Sequence, residues 1–176
     1  VSATGYSPAT AFNIEAYATG REASANTGQT DVLVHHGATD APTVDVRERT
    51  LGATIVDDIS YSEFDGGVAG YIELPTADYI LDVQTADGLT TVASYSAPLA
   101  TLNLTDSALV VIASGFLNPA VNSGGPAFGL WVALPGGGSL IPLPTAAAPT
   151  ARVQVIHNSA DLAADTVDVY VENNGV

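Results

Sequence analysis

The chain has no cysteine and no methionine, a single tryptophan, and no lysine, so its only cationic side chains are Arg21, Arg47, Arg49 and Arg152 among 176 residues. Without cysteine there is no disulfide framework, no thiolate metal centre and no thiol nucleophile. Four arginines face 19 acidic residues, and a formal net charge of -15 argues against nucleic acid and anionic membrane as partners. Such a surface suits solubility in salt, cation binding, or self-association where ions screen the repulsion. No apolar run reaches about 18 residues without polar interruption, so no membrane span is expected, and no signal peptide is recognisable. The lack of methionine, at position 1 as elsewhere, suggests a processed or excised segment.

What remains is 47% hydrophobic and only 13% charged, which excludes disorder driven by charge. Much of the apolar content is Ala and Val interleaved with Thr and Gly, a mixture suited to short strands and tight turns. The length fits one domain.

Self-similarity organises the chain. Val32–Asp40, followed by Thr43-Val44-Asp45-Val46, recurs as Val153–Asp161, followed by Thr166-Val167-Asp168-Val169. His36 and His157 lie 121 positions apart and Thr43 and Thr166 lie 123 apart, so the second copy carries two extra residues in the intervening loop. Toward the other end, Val1–Ala9 resembles Val111–Ala120. Residues 1–28 are therefore expected to be the terminal strands and linker of a preceding repeat, 29–149 a complete repeat, and 150–176 the first strands of a following one.

Within the complete repeat, strands are expected at 31–36, 43–48, 53–58, 68–74, 78–86, 90–95, 108–116 and 127–134, from apolar runs bounded by turn residues. Asp65-Gly66-Gly67, Asp87-Gly88, Gly124-Gly125-Pro126 and Pro135–Gly138 supply the reversals. A short helical turn is anticipated around 58–64. The fold class that follows is all-β, an antiparallel sandwich of immunoglobulin-like architecture. Three prolines within 141–150 predict an extended linker.

The segment His36-Gly37-Ala38-Thr39-Asp40-Ala41-Pro42-Thr43-Val44-Asp45-Val46 resembles the domain of unknown function 4397 family, with Tyr71–Pro75 and Tyr79–Val83 fitting its middle strands. The resemblance covers about residues 29–149. It implies a secreted, tandem surface module located outside the cell, and it assigns no reaction. The second copy keeps His157 and Asp161 but has Leu162–Asp165 in place of the short Ala-Pro connection.

The motif residues His36, Asp40, Pro42 and Asp45, with His157, Asp161 and Asp168 in the second copy, are expected to form a hydrogen-bonded clasp between a strand end and loop backbone, the alternative being a metal or catalytic role. Strand alternation directs His35 to the opposite face. No Gly-x-Ser-x-Gly elbow is present, and Gly136-Gly137-Gly138 lacks the Lys of a phosphate loop. No cofactor is expected; calcium is the one candidate ion, on Asp57, Asp58, Glu63 and Asp65, by oxygen ligand type alone. Trp131 is expected between the sheets, with a sugar platform as the alternative, and Tyr61, Phe64, Tyr71 and Tyr79 as core and strand-face residues.

These features point to a non-enzymatic structural repeat of a cell-surface fibre, stalk or filament, partnered by identical or homologous repeats in a homopolymer or long tandem chain. Strands containing Val153, Val155, Ile156, Val167, Val169 and Val171 are expected to pair with a neighbouring sheet. The alternative is an adhesin or carbohydrate-binding module recognising a glycan through loops at one end of the sandwich.

Overall fold

A computed structural model describes residues 14–67, 69–148, 150 and 156. Among the described residues ten strands follow in order: β1 (Gln29–His36), β2 (Val44–Glu48), β3 (Ala53–Ile59), β4 (Phe64–Asp65), β5 (Ile72–Pro75), β6 (Asp78–Thr85), β7 (Thr91–Pro98), β8 (Ser107–Ser114), β9 (Gly129–Ala133) and β10 (Ile141–Pro142). They form two facing sheets, so the protein is an all-β sandwich. The first sheet has the order β10-β9-β8-β1, with β4 and β5 sharing the far edge of β1; the second has the order β3-β2-β6-β7.

The centre of the first sheet follows from sequence. β1 reads QTDVLVHH and β8 reads SALVVIAS, near-continuous apolar runs of the kind found where both faces of a strand are covered. Val32 and Val34 of β1 face the main core with Leu109 and Val111 of β8, while Leu33 joins Tyr71 and Ala108 in a smaller outer cluster. β1 and β8 pair in parallel, from Thr30 opposite Ser107 to His36 opposite Ala113, which departs from the purely antiparallel expectation. The connection between them runs through the second sheet, long enough for a parallel crossover.

Other departures have local causes. The strand expected at 68–74 starts late, as β5, and an unexpected short strand, β4, precedes it: the two pair with opposite ends of β1, and the intervening loop folds so tightly that a Cβ on Gly66 would lie 2.1 Å from the Gly70 carbonyl oxygen. No helical turn forms at 58–64. Asp58 instead takes a left-handed φ of 53° within β3, opposite a register shift in β2, and Ser62 takes 78° in the following turn. The helical element observed is a 3-10 turn at Pro119–Val121. Trp131 lies on the outer face, half-buried, because its neighbours Leu130 and Val132 take the inward positions of β9.

The largest correction concerns the chain on either side of the sandwich. Residues 141–146 are extended but are not a free linker. Ile141 pairs with Val132, the Leu143 amide donates to the Leu130 carbonyl at 2.9 Å, and the Leu143 side chain is buried in the core. The segment then crosses to the second sheet, where the Ser96 amide donates to the Pro144 carbonyl and the Ala146 amide to the Ser94 carbonyl, each at 2.8 Å. Proline is tolerated there because β10 is an edge and needs no second set of amide donors.

Residues 14–28, expected to belong to a preceding repeat, pack against this one. The Tyr17 hydroxyl donates to the Gly70 carbonyl at 2.7 Å, the Arg21 amide donates to the Tyr71 hydroxyl at 3.0 Å, and Ala23 bridges to Ser107. The decisive contact is Arg21 Nη1 to Asp31 Oδ2 at 2.6 Å, on a carboxylate with no solvent exposure. The guanidinium also reaches Glu73 and lies 4.9 Å from the Tyr71 ring centre.

Two outcomes test these docked segments. Leu143→Ala should lower unfolding free energy by about 2–4 kcal/mol, whereas Leu140→Ala, at an exposed site, should change it by under about 0.5 kcal/mol; urea denaturation distinguishes them. Arg21→Ala should lower the urea midpoint more than Asp31→Ala, because the first strands a buried carboxylate while the second frees a side chain that reaches water.

Candidate functional site

β1 delivers its two histidines to opposite faces. His36 ends the inward row and is 1% exposed, its Nε2 3.1 Å from the Pro42 carbonyl oxygen, which fixes Nε2–H as donor. Its backbone is tied to the following turn, the His36 amide donating to the Glu63 carbonyl at 3.0 Å and the Ser62 amide to the His36 carbonyl at 2.7 Å. Asp40 accepts three hydrogen bonds, from the Leu117 and Asn118 amides at 3.0 and 3.1 Å and from Asn122 Nδ2 at 3.1 Å. The buried Asp45 accepts from the Asp58 amide at 2.8 Å and so holds the bulge of β3. His36, Asp40 and Asp45 thus each bond loop or bulge backbone, with Pro42 supplying the carbonyl for His36, while the buried His36 Nδ1 is left without a hydrogen-bond partner. Asn122, which bonds Asp40, carries no sequence signal beyond its place in a turn-rich loop.

The carboxylates proposed for calcium do not converge. Asp57 and Asp58 lie exposed on the edge strand β3 of the second sheet. Glu63 and Asp65 lie beside the first sheet, accepting from the Ser60 and Gly67 amides, both at 2.7 Å. Among the described residues, no three Asp, Glu or His side chains are grouped to hold a metal ion. Adjacency in sequence was misleading here because the turn at 60–63 sends the two pairs to different sheets.

Outward-facing His35 forms a different site. Its Nδ1–H donates to the Glu63 carbonyl at 3.0 Å and its ring stacks on Phe64, centroids 4.2 Å apart. Burial, outweighing the hydrogen bond to Glu63, lowers its pKa below the ordinary histidine value and favours the neutral ring. Beside it is an open groove of about 350 Å³ lined by Glu15, His35, Gly37, Tyr61, Ser62 and Phe64, in which the Ser62 hydroxyl donates to the Glu15 carboxylate.

No protein-family model, curated protein or solved structure matches this chain.

A second ionic site that sequence did not indicate lies on the outer face of the second sheet. Arg49 holds Asp82 through Nε–Oδ2 at 3.0 Å and Nη2–Oδ1 at 2.5 Å, and the Ser94 hydroxyl donates to the same carboxylate at 2.6 Å. Burial pushes the Asp82 pKa up, but the hydrogen bonds from Arg49 and Ser94 outweigh it and the net shift is downward. Of the second-copy residues, His157, Asp161, Asp168, Val153, Val155, Val167, Val169 and Val171 lie outside the described residues; Ile156 is described, exposed and outside any strand.

Two measurements follow. Asp40→Ala should cost about 1–3 kcal/mol and accelerate amide exchange selectively at Leu117 and Asn118. For acid stability, the lowered His35 pKa means that the unfolded chain binds the proton first, so stability falls as pH drops below about 6.5. The lowered Asp82 pKa contributes stability above about pH 4 that is lost as pH falls through its folded value. Urea midpoints at pH 7.5, 5.5 and 3 should decline in that order, and His35→Gln should shrink the first decrement.

Proposed function

We propose that the chain is a non-enzymatic structural segment of an extracellular fibre, stalk or filament, built of tandem sandwich repeats that are completed by their neighbours. One observation carries this reading: the polypeptide is laid onto the sandwich both before and after it, residues 14–28 along the outer face of the first sheet and 141–146 across to the edge of the second. A repeat with its entry and exit both fixed passes a defined orientation to the next, as a stalk requires and a flexible tether does not. The recurrence of the β1–β2 pattern 121 residues later supplies the next repeat, and the likeness of residues 36–46 to the surface-module family supports an extracellular setting.

Edges for pairing exist. Among the described residues β3 has no strand on its far side, and the exit segment's backbone bonds to β7 lie at Ser94 and Ser96, so Thr91–Ala93 at its start offers a further edge. Homologous repeats are the natural occupants, in a homopolymer or a long tandem chain. The acidic excess makes lateral contact between such arrays depend on salt, which screens like charge over a Debye length of about 8–10 Å.

Electron microscopy of the native material at moderate salt tests the reading. Regular filaments or stalks with a domain-sized axial repeat are the expected result, and isolated globules at all salt concentrations overturn it.

A further inference from the structure

One row of cross-strand neighbours runs over the outer face of the first sheet: Phe64 lies opposite His35, His35 opposite Ile112, Ile112 opposite Trp131, and Trp131 opposite Pro142. Strands lie about 4.8 Å apart, so Phe64 and Trp131 are separated by about 14 Å along this row. The segment 14–28 covers the other end of the face, over Leu33, Tyr71 and Ala108. His35, Ile112 and Trp131 stay half-exposed, and the groove of about 350 Å³ opens beside His35.

The chemistry of this surface is mixed in a specific way. In the groove, Tyr61, Phe64 and Ile112 lie beside polar atoms that can meet hydroxyls, the Glu15 carboxylate, the Ser62 hydroxyl and one nitrogen of His35, and Trp131 continues the row past Ile112. With Nδ1–H committed to the Glu63 carbonyl, a neutral His35 keeps a lone pair on Nε2 and can accept a hydrogen bond. Gly37 lines the groove beside that nitrogen: a Cβ there would stand in contact with it at 3.6 Å and press on the Ala113 carbonyl oxygen at 3.1 Å. The volume is at the low end of the range of about 300–1,000 Å³ for small-ligand sites, which suits a few rings and not a folded partner.

We propose that this groove and row bind a neutral or amino-bearing oligosaccharide, one sugar ring lying in the groove against Tyr61 and the chain running over Ile112 toward Trp131. Rings with one apolar face and hydroxyl edges match aromatic side chains flanked by acceptors. Glu15 and the net charge of -15 select against uronate or sulfated sugars and favour an uncharged or ammonium-bearing one. The inference is independent of whether the repeats polymerise.

Trp131 is the only tryptophan, so its fluorescence reports on the row without labelling. The whole chain is titrated with cellohexaose, with a hexameric chitosan oligomer and with a hexameric polygalacturonate. A saturable emission change is expected with cellohexaose or the chitosan oligomer, at a dissociation constant of about 1 mM or below. Ser62→Gly removes the hydroxyl at a backbone φ of 78° that glycine adopts freely, so the melting temperature should hold while binding weakens about tenfold. Tyr61→Ala should weaken binding at least as much. Absence of a saturable change with all three sugars, tightest binding of the polygalacturonate, or undiminished binding in both variants overturns the proposal.

Discussion

Covering β1 on both faces is the constraint from which most of the architecture follows. Thr30, Asp31, Leu33 and His36 are each 1% exposed or less, although the strand belongs to a two-layer sandwich whose outer faces should meet water. The second sheet covers the inner face. On the outer face, Asp31 and Leu33 are covered by residues 14–28, through Arg21 and Tyr17. Every backbone amide and carbonyl of a strand so buried needs a partner. β8 takes one edge in parallel, and no single strand takes the other: β5 pairs with its first half and β4 with its last residues. The sharp loop between β4 and β5, with its glycines, is the geometric result of dividing that edge.

Burying Asp31 on this strand transmits the constraint outward. An unpaired carboxylate in that position would be severely destabilising, so Arg21 is drawn in, and with it the path of the preceding chain. Asp82 on the second sheet repeats the pattern with Arg49. A chain with four cationic side chains places two of them on carboxylates that are nearly inaccessible to water, whereas the buried Asp45 and Glu48 accept from backbone amides instead, those of Asp58 and of Thr50 and Leu51. Arginine suits this use because its fork can hold a carboxylate by two nitrogens, as Arg49 does on Asp82.

The strands were legible wherever burial wrote a period into the sequence. β1, β2, β6 and β8 fall close to their expected limits because their apolar positions repeat as a strand demands. What was not legible depended on contacts distant in sequence. Nothing in Ile141-Pro142-Leu143-Pro144 distinguishes a linker from a strap, since proline dictates extension in either case; only the presence of an open β7 edge decides it. Trp131 was expected between the sheets, but the parity of β9 is set by Leu130 and Val132, and a single step in register moves a side chain to the other face. The acidic quartet failed as a calcium site for a similar reason, its turn dividing the ligands between sheets.

The two adjacent histidines show how one motif can serve the fold while its neighbour is left for chemistry. Alternation buries His36, where its ring bonds the Pro42 carbonyl near the loop that Asp40 and Asn122 tie down, and leaves His35 lining a groove with Gly37 beside it. The second copy separates these roles. It retains the clasp residues as His157 and Asp161, yet carries Ile156 in the place of His35 and Asn158 in the place of Gly37. In the proposed array a framework requirement would act on every repeat alike, because each would have to close the same strand end, whereas a binding groove need be furnished only where a ligand is met. On that argument the His-to-Asp spacing belongs to the construction of the sandwich, and the proposed saccharide groove is particular to the repeat that carries both His35 and Gly37.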